Sequence, residues 1–445
     1  MFFNKDKRSI DYSFTFRNDI ASSFKFLLFI ACLSSCSAQK KISREANKIV
    51  LSSKPLSAAH VGISIFEPAT NKTWYDYQGA KYFVPASNTK IPTCYVAMKY
   101  LGDSLVGIRY SVEPDSSIVI QPTADPTFLA SEYKRQPVFD HIKKFKKIIL
   151  KTEIYQDYLG SGWSWNDYQE EYMAQRSDLP MYGNVARFTL DNNEVKASPR
   201  YFDQFLISIE EGLESGFDIE KPWEENQFFV APGRNKTLEV PFNATFQTIR
   251  DLLQDTLDVD VEVDPFINIE PALLHSQPTD SMLKPMMHRS DNFYAEQSLL
   301  MVSNERLGIM DDSKIIDTIL KTDFADLPQR PRWVDGSGLS RYNLFTPQSM
   351  VSILNKMKNE FGMERIKEIF PTGGRGTITS YYKADSGYIY AKTGTLSGVV
   401  ALSGFLYTKK NKLLVFSILV NNHQSSATEI RKTVERFLTG IRKNF

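Results

Sequence analysis

Apolar positions recur in this chain with two periods, and each period is concentrated at the two ends. Val61-Gly-Ile-Ser-Ile-Phe66 and Thr73-Trp-Tyr-Asp-Tyr77 flank the turn Glu67-Pro-Ala-Thr-Asn-Lys72, which predicts two paired strands. Far downstream, Tyr388–Ala391, Val399–Tyr407 and Leu413–Val420 read as three more, the last two joined by Lys409-Lys-Asn-Lys412. Helical spacing appears behind Pro85, where Ile91, Tyr95, Met98 and Leu101 share a face until Gly102 ends the run. It returns in Ala427–Ile441, with Ile430, Val434, Phe437 and Ile441 on one side. The pattern predicts an α/β fold in which one five-stranded antiparallel sheet is covered by helices. Because its strands come from both ends, the chain must leave that unit and return.

The expected division is a unit built from 58–105 and 271–445, with inserted mixed domain(s) over 106–270. The excursion shows short strands at Ile118–Gln121 and Ile148–Ile154, the tryptophan-rich Gly162-Trp-Ser-Trp-Asn-Asp167, and a helix expected over Phe202–Glu211. A further helix is expected over Ala244–Leu257, capped by Asn243, before a strand at Val259–Val263. Lys143, Lys144, Lys146, Lys147 and Lys151 alternate with Ile142, Phe145, Ile148 and Ile149. That alternation suits one solvated and one buried face of a helix running into a strand; contact with an anionic envelope polymer is the alternative.

The first 35 residues read as a signal rather than as part of the fold. Lys5, Lys7, Arg8, Arg17 and Lys25 precede the apolar run Phe26–Leu33, too short for a membrane span. Leu33-Ser34-Ser35-Cys36 resembles the lipobox of bacterial lipoproteins, which implies cleavage before Cys36 and lipidation of that residue. Cleavage as a plain secretory signal near Ala38 is the alternative. Residues 36–57 then form a tether, with a helical stretch over Arg44–Leu51. Of the three cysteines this leaves only Cys94 inside the fold, so no intramolecular disulfide is expected. Lys and Arg total 53 against 52 Asp and Glu, a net charge of +1 that argues against a nucleic-acid partner. Five scattered histidines without HExxH or CxxC suggest no metal, and no cofactor is implied.

Candidate chemistry lies in three short strings. Ser87-Asn88-Thr89-Lys90 puts a hydroxyl and an amine on one helix face, where the amine can reach the oxygen. Free N–H groups at that helix start favour negative charge. A lysine base needs its pKa lowered from about 10.4, which burial and a nearby cation achieve. Ser-x-Lys spacing is common here, however, as in Ser131/Lys134 and Ser281/Lys284. Ser290-Asp291-Asn292 enters a helical run; a hydroxyl there can relay a proton and the amide can hold a lysine and a substrate carbonyl. Ser164-Trp165-Asn166 is a competing match. Lys392-Thr393-Gly394 occurs once, and with Thr395 it offers an ammonium and hydroxyls to a terminal carboxylate, Gly394 allowing close backbone approach. The three in order form the signature of serine acyl-transfer enzymes that react with penicillin.

Four further strings narrow the resemblance: Gly162–Asp167, His288–Glu296, Val334-Asp-Gly-Ser-Gly-Leu-Ser-Arg341 with Asn343, and Ala391–Ser397. From Val61 onward, and thinly over 189–240, the chain resembles the D-alanyl-D-alanine carboxypeptidase/endopeptidase family of class C, low-molecular-mass penicillin-binding proteins. The resemblance implies a transpeptidase-like domain with domains inserted between the first two motifs. It implies Ser87 as nucleophile, Lys90 as general base and Ser290 as proton relay. Asn292, Lys392, Thr393, Gly394 and Thr395 would bind substrate, with the Ser87 and Thr395 N–H groups as oxyanion hole. The implied substrates are peptidoglycan stem peptides and the implied inhibitors β-lactams, in an exported, lipid-anchored protein of the bacterial cell envelope. A β-lactamase or esterase of the same fold, or a catalytically silent wall-binding protein, are the alternatives. The Asp335–Arg341 string receives no chemical step from this reading.

Overall fold

The computed structural model describes residues 39–152, 155, 157–192, 194–209, 217–231, 233 and 236–445. The apolar run 26–33, Cys32 and the expected lipidation residue Cys36 lie outside the described residues. Among the described residues no helix is long and apolar enough to cross a membrane.

The expected sheet forms with strands from both ends of the chain. Its order is Ile389–Leu396, Val399–Tyr407, Leu413–Asn421, His60–Glu67, Lys72–Tyr77, and every pairing is antiparallel. The middle strands are apolar almost throughout because both faces are covered. On one face lie helix 39–46 and the closing helix Ala427–Asn444, whose Ile430, Val434, Phe437 and Ile441 are buried against Ile63, Phe416 and Ile418. On the other face the helices Lys90–Tyr100, Asn292–Leu307 and Pro347–Ile369 form a second core. Cys94 is fully buried in it. The strand Ile389–Leu396 stands at the sheet's edge, so one side of its backbone faces the Ser87 turn instead of another strand.

Three more sheets follow from the excursion. Asp260–Val263, Lys147–Leu150, Ile118–Pro122, Ser104–Val112 and Ala272–Pro278 form a mixed sheet in that order. Within it Lys147–Leu150 runs parallel to both its neighbours. Two three-stranded sheets share a separate aromatic core with it. The strands Ser104–Val112 and Ala272–Pro278 pair with each other, carrying the chain out and back.

Three local expectations need correction. Phe202–Glu211 is not a helix: a 3₁₀ turn at Arg200–Phe205 gives way to the strand Leu206–Ser208, and residues 210 and 211 lie outside the described residues. The Phe202 ring packs 5.7 Å from Phe228 and 4.9 Å from Phe242, so tertiary contacts override the helical period. Thr245, not Asn243, caps the helix Phe246–Leu257, its hydroxyl accepting from Thr248 N–H. Asn243 is committed elsewhere, accepting from the Lys221 amine at 2.8 Å. In the lysine run the helix stops at Ile142, and Lys143, Lys144 and Lys146 occupy the exposed turn before the strand, of whose expected range Lys147–Leu150 is extended and 153–154 lie outside the described residues.

Candidate active site

Ser87 sits in the 3₁₀ turn Ala86–Thr89 that opens directly into the Lys90 helix. The turn is forced into shape, since Ala86 has φ +47°, a region L-residues enter at a cost of about 1–2 kcal/mol. Two glycines hold it there. A Cβ on Gly338 would lie 2.0 Å from the Ala86 carbonyl oxygen, and one on Gly394 would lie 2.6 Å from that of Pro85. Asn88 Nδ2 donates to the Lys392 carbonyl at 2.9 Å, tying the turn to the edge strand.

Lys90 is fully buried yet makes three contacts through its amine: Ser87 Oγ at 3.2 Å, Asn292 Oδ1 at 2.6 Å and the Ser337 carbonyl at 2.8 Å. The last two partners can only accept. A neutral amine has two protons and one lone pair, so giving both protons to those acceptors leaves the lone pair for the Ser87 hydroxyl. Burial pulls the Lys90 pKa down to about 8, against the opposing charges of Asp335, Glu296 and Asp291.

Ser290 is held at φ +66°, just before the helix Asn292–Leu307, which Asp291 caps through Tyr294 N–H. Its hydroxyl accepts from Lys392 Nζ at 2.8 Å, and Lys392 also donates to the Thr393 carbonyl at 2.9 Å. Lys392 is fully buried and lies well below the ordinary lysine range, first through burial and then through the charge of Lys90. The expected lysine–lysine influence is thus present, but burial carries the shift at Lys90. Thr393 is half-buried and Thr395 exposed on the same edge strand. All three motifs therefore meet around Ser87. The competing Ser164-Trp165-Asn166 forms an exposed turn instead, Ser164 Oγ donating to Asn166 Oδ1 at 2.6 Å.

Four features of the site were not anticipated. Glu296, fully buried, accepts the Ser337 N–H at 2.7 Å, and its carboxyl is pushed up to about 7 by burial and then by Asp335. Asp335 accepts from Gly338 N, Ser340 N, Asn343 Nδ2 and Trp163 Nε1 at 2.7–3.0 Å, fixing the loop that had no assigned step. Asn292 Nδ2 donates to the Tyr172 carbonyl at 3.0 Å. Arg431 Nη2 lies 2.5 Å from Thr395 Oγ1, adding a cation beside Lys392. Glu296 and Asp335 stood inside quoted strings; Arg431, a single charge on an amphipathic helix, carried no signal.

A model of the D-Ala-D-Ala carboxypeptidase 3 (S13) family matches residues 43–441. The chain is 24% identical over 436 residues to D-alanyl-D-alanine carboxypeptidase DacB of Haemophilus influenzae, covering 85% of this chain and 89% of that protein. It is also 24% identical over 448 residues to the D-alanyl-D-alanine carboxypeptidase of Actinomadura sp. (strain R39), covering 86% and 82%. Among solved structures, penicillin binding protein 4 of Haemophilus influenzae superposes with TM-score 0.70 at 22% identity, covering 90% of this chain and 98% of that one. A predatory peptidoglycan endopeptidase of Bdellovibrio bacteriovorus superposes with TM-score 0.52 at 14% identity, covering 86% and 93%. These likenesses agree with the fold described above.

Proposed function

We propose a mechanism that proceeds from one premise: this chain belongs to the D-Ala-D-Ala carboxypeptidase 3 (S13) family and is a serine DD-peptidase. Ser87 is the nucleophile and neutral Lys90 takes its proton as Oγ attacks the carbonyl before the terminal D-alanine. The observation that carries this is the pair of acceptors, Asn292 Oδ1 and Ser337 O, that leaves the Lys90 lone pair for Ser87. Charge developing on the carbonyl oxygen meets the N–H groups of Ser87 and Thr395. Lys392, Thr393 and Thr395 hold the peptide carboxylate, with Gly394 letting the strand approach the Ser87 turn. Ser290, hydrogen-bonded to Lys392, passes the proton to the departing amine, and Asn292 orients the acyl chain. Water then hydrolyses the acyl-enzyme.

The substrates in this reading are peptidoglycan stem peptides, and β-lactams acylate the same serine. Relatives of this fold have been solved with a β-lactam bound and with penicillin G attached, which supports the second point. Two separate cores support a catalytic unit of 58–105 with 271–445 and an inserted 106–270. Leu33-Ser34-Ser35-Cys36 supports export to the envelope with a lipid on Cys36; Cys36→Ser is expected to move the protein from the membrane fraction to the soluble one.

Labelling with a fluorescent penicillin tests the core of the proposal. Wild-type protein is expected to carry a stable label, and Ser87→Ala none. A label that persists in Ser87→Ala reassigns the nucleophile, and one that turns over rapidly in the wild type makes the protein a β-lactamase.

A further inference from the structure

A cavity of about 460 Å³ opens beside Ser290 and Asn292 and extends the cleft toward the excursion. That size lies within the roughly 300–1,000 Å³ of ordinary ligand sites and exceeds what a single alanine needs. Arg289 and Glu132 form one wall, paired at 2.5 and 2.7 Å. Arg187 and Glu239 form another, opposite each other on the strands Val185–Asp191 and Thr237–Pro241 and joined as an ion pair. These charges are not spent inside the protein: the Arg187 and Arg289 side chains remain 47% and 51% exposed. Two guanidinium groups and two carboxylates on facing walls suit a ligand bearing both carboxylate and ammonium groups, and they penalise an apolar one.

The position of Ser290 says which part of the substrate lies there. In the mechanism above its hydroxyl protonates the departing amine, so it must touch the leaving group. Space reached past Ser290 is space for whatever is attached to that amine. We propose that the cavity holds the leaving strand of a cross-linked substrate, a second peptide carrying free carboxylate and amino groups, and so equips this DD-peptidase to cut cross-links. The inference rests on the mechanism proposed above. No new bond chemistry is involved: the amide C–N bond breaks, the acyl group passes to Ser87 and then to water, and the proton goes to the leaving amine.

The test uses the purified full chain with a monomeric pentapeptide, a cross-linked dimer of defined stem peptides and a chromogenic cephalosporin. Arg187→Ala is expected to lower kcat/KM on the dimer about tenfold while leaving the pentapeptide and cephalosporin acylation within about twofold. The double exchange Arg187→Glu with Glu239→Arg restores a cross-strand pair but misplaces both charges, so dimer cleavage stays low. Equal loss on both peptides, no loss on the dimer, or full recovery in the exchange overturns the proposal. A wild type that cleaves the pentapeptide but not the dimer overturns it alone; one that cleaves neither and resists acylation overturns the DD-peptidase reading with it.

Discussion

The amine of Lys90 donates to the carbonyl of Ser337 across 2.8 Å, while the N–H of the same Ser337 donates to Glu296 at 2.7 Å. One residue of the Asp-Gly-Ser-Gly turn is thus fixed from below by a buried acid and presents its oxygen to the base above. The turn therefore directs the Lys90 lone pair toward the Ser87 hydroxyl. It is itself held by four hydrogen bonds to Asp335.

A base with a pKa near 8 leaves its mark on the rate. Only free Lys90 accepts a proton, so acylation by a chromogenic cephalosporin should rise with pH and level off above about 8. Stopped-flow rates across that range check it, and a flat or falling profile removes Lys90 as the base. The same shift acts on stability. Between about 8 and the ordinary 10.5 the unfolded chain binds the extra proton, so the Lys90 contribution rises with pH over that window.

Glu296 should tune that profile without touching substrate. Its negative charge raises the Lys90 pKa, so Glu296→Gln, which keeps a carbonyl acceptor for Ser337 N–H, should move the inflection to lower pH. Glu296→Ala strands a buried donor, a cost of about 1–3 kcal/mol, and should slow acylation at every pH. An unmoved inflection in the Gln variant together with a wild-type rate in the Ala variant would falsify the positioning role.

Much of this site was readable before the structure because its residues sit at element boundaries. Pro85 before an apolar helical period placed Ser87 and Lys90 on one face, and alternation in the last three strands placed Lys392 on an edge. What escaped were contacts between distant segments. The Ser337 carbonyl near Lys90 is a backbone group 247 positions away, and no side-chain pattern reports it. Ser104–Val112 and Ala272–Pro278 went unread as strands for a related reason: their pairing is long-range and their alternation is broken by Gly107 and His275. Phe202 failed in the opposite direction, because a helical period was outweighed by an aromatic cluster.

Close approach in the turn makes a sharper mutational contrast. Gly338 has φ +86°, and an added Cβ would lie 2.0 Å from the Ala86 oxygen, with no flexible side chain to yield. Gly338→Ala should cost at least ~2 kcal/mol and lower both the thermal midpoint and the acylation rate. Ser337→Ala keeps both backbone groups that matter and should leave acylation near wild type. Reversal of that order would mean the Ser337 hydroxyl, not the loop backbone, serves Lys90.

Lys392 is assigned to the peptide carboxylate, and substrate chemistry can isolate that contact. Charged hydrogen bonds of this kind are worth about 1.5–3 kcal/mol, so Lys392→Met should reduce kcat/KM on a free-acid pentapeptide by at least ~tenfold. The substitution also removes a donor to Ser290 and a charge near Lys90, so a loss alone is ambiguous. Amidating the terminal carboxylate resolves it. In wild-type protein the amide should be the poorer substrate by a similar factor; in Lys392→Met the free acid and the amide should be cleaved alike. If the variant still prefers the free acid by the wild-type ratio, the carboxylate is held elsewhere. Arg431, which donates to Thr395 Oγ1 at 2.5 Å, is then the group to test next.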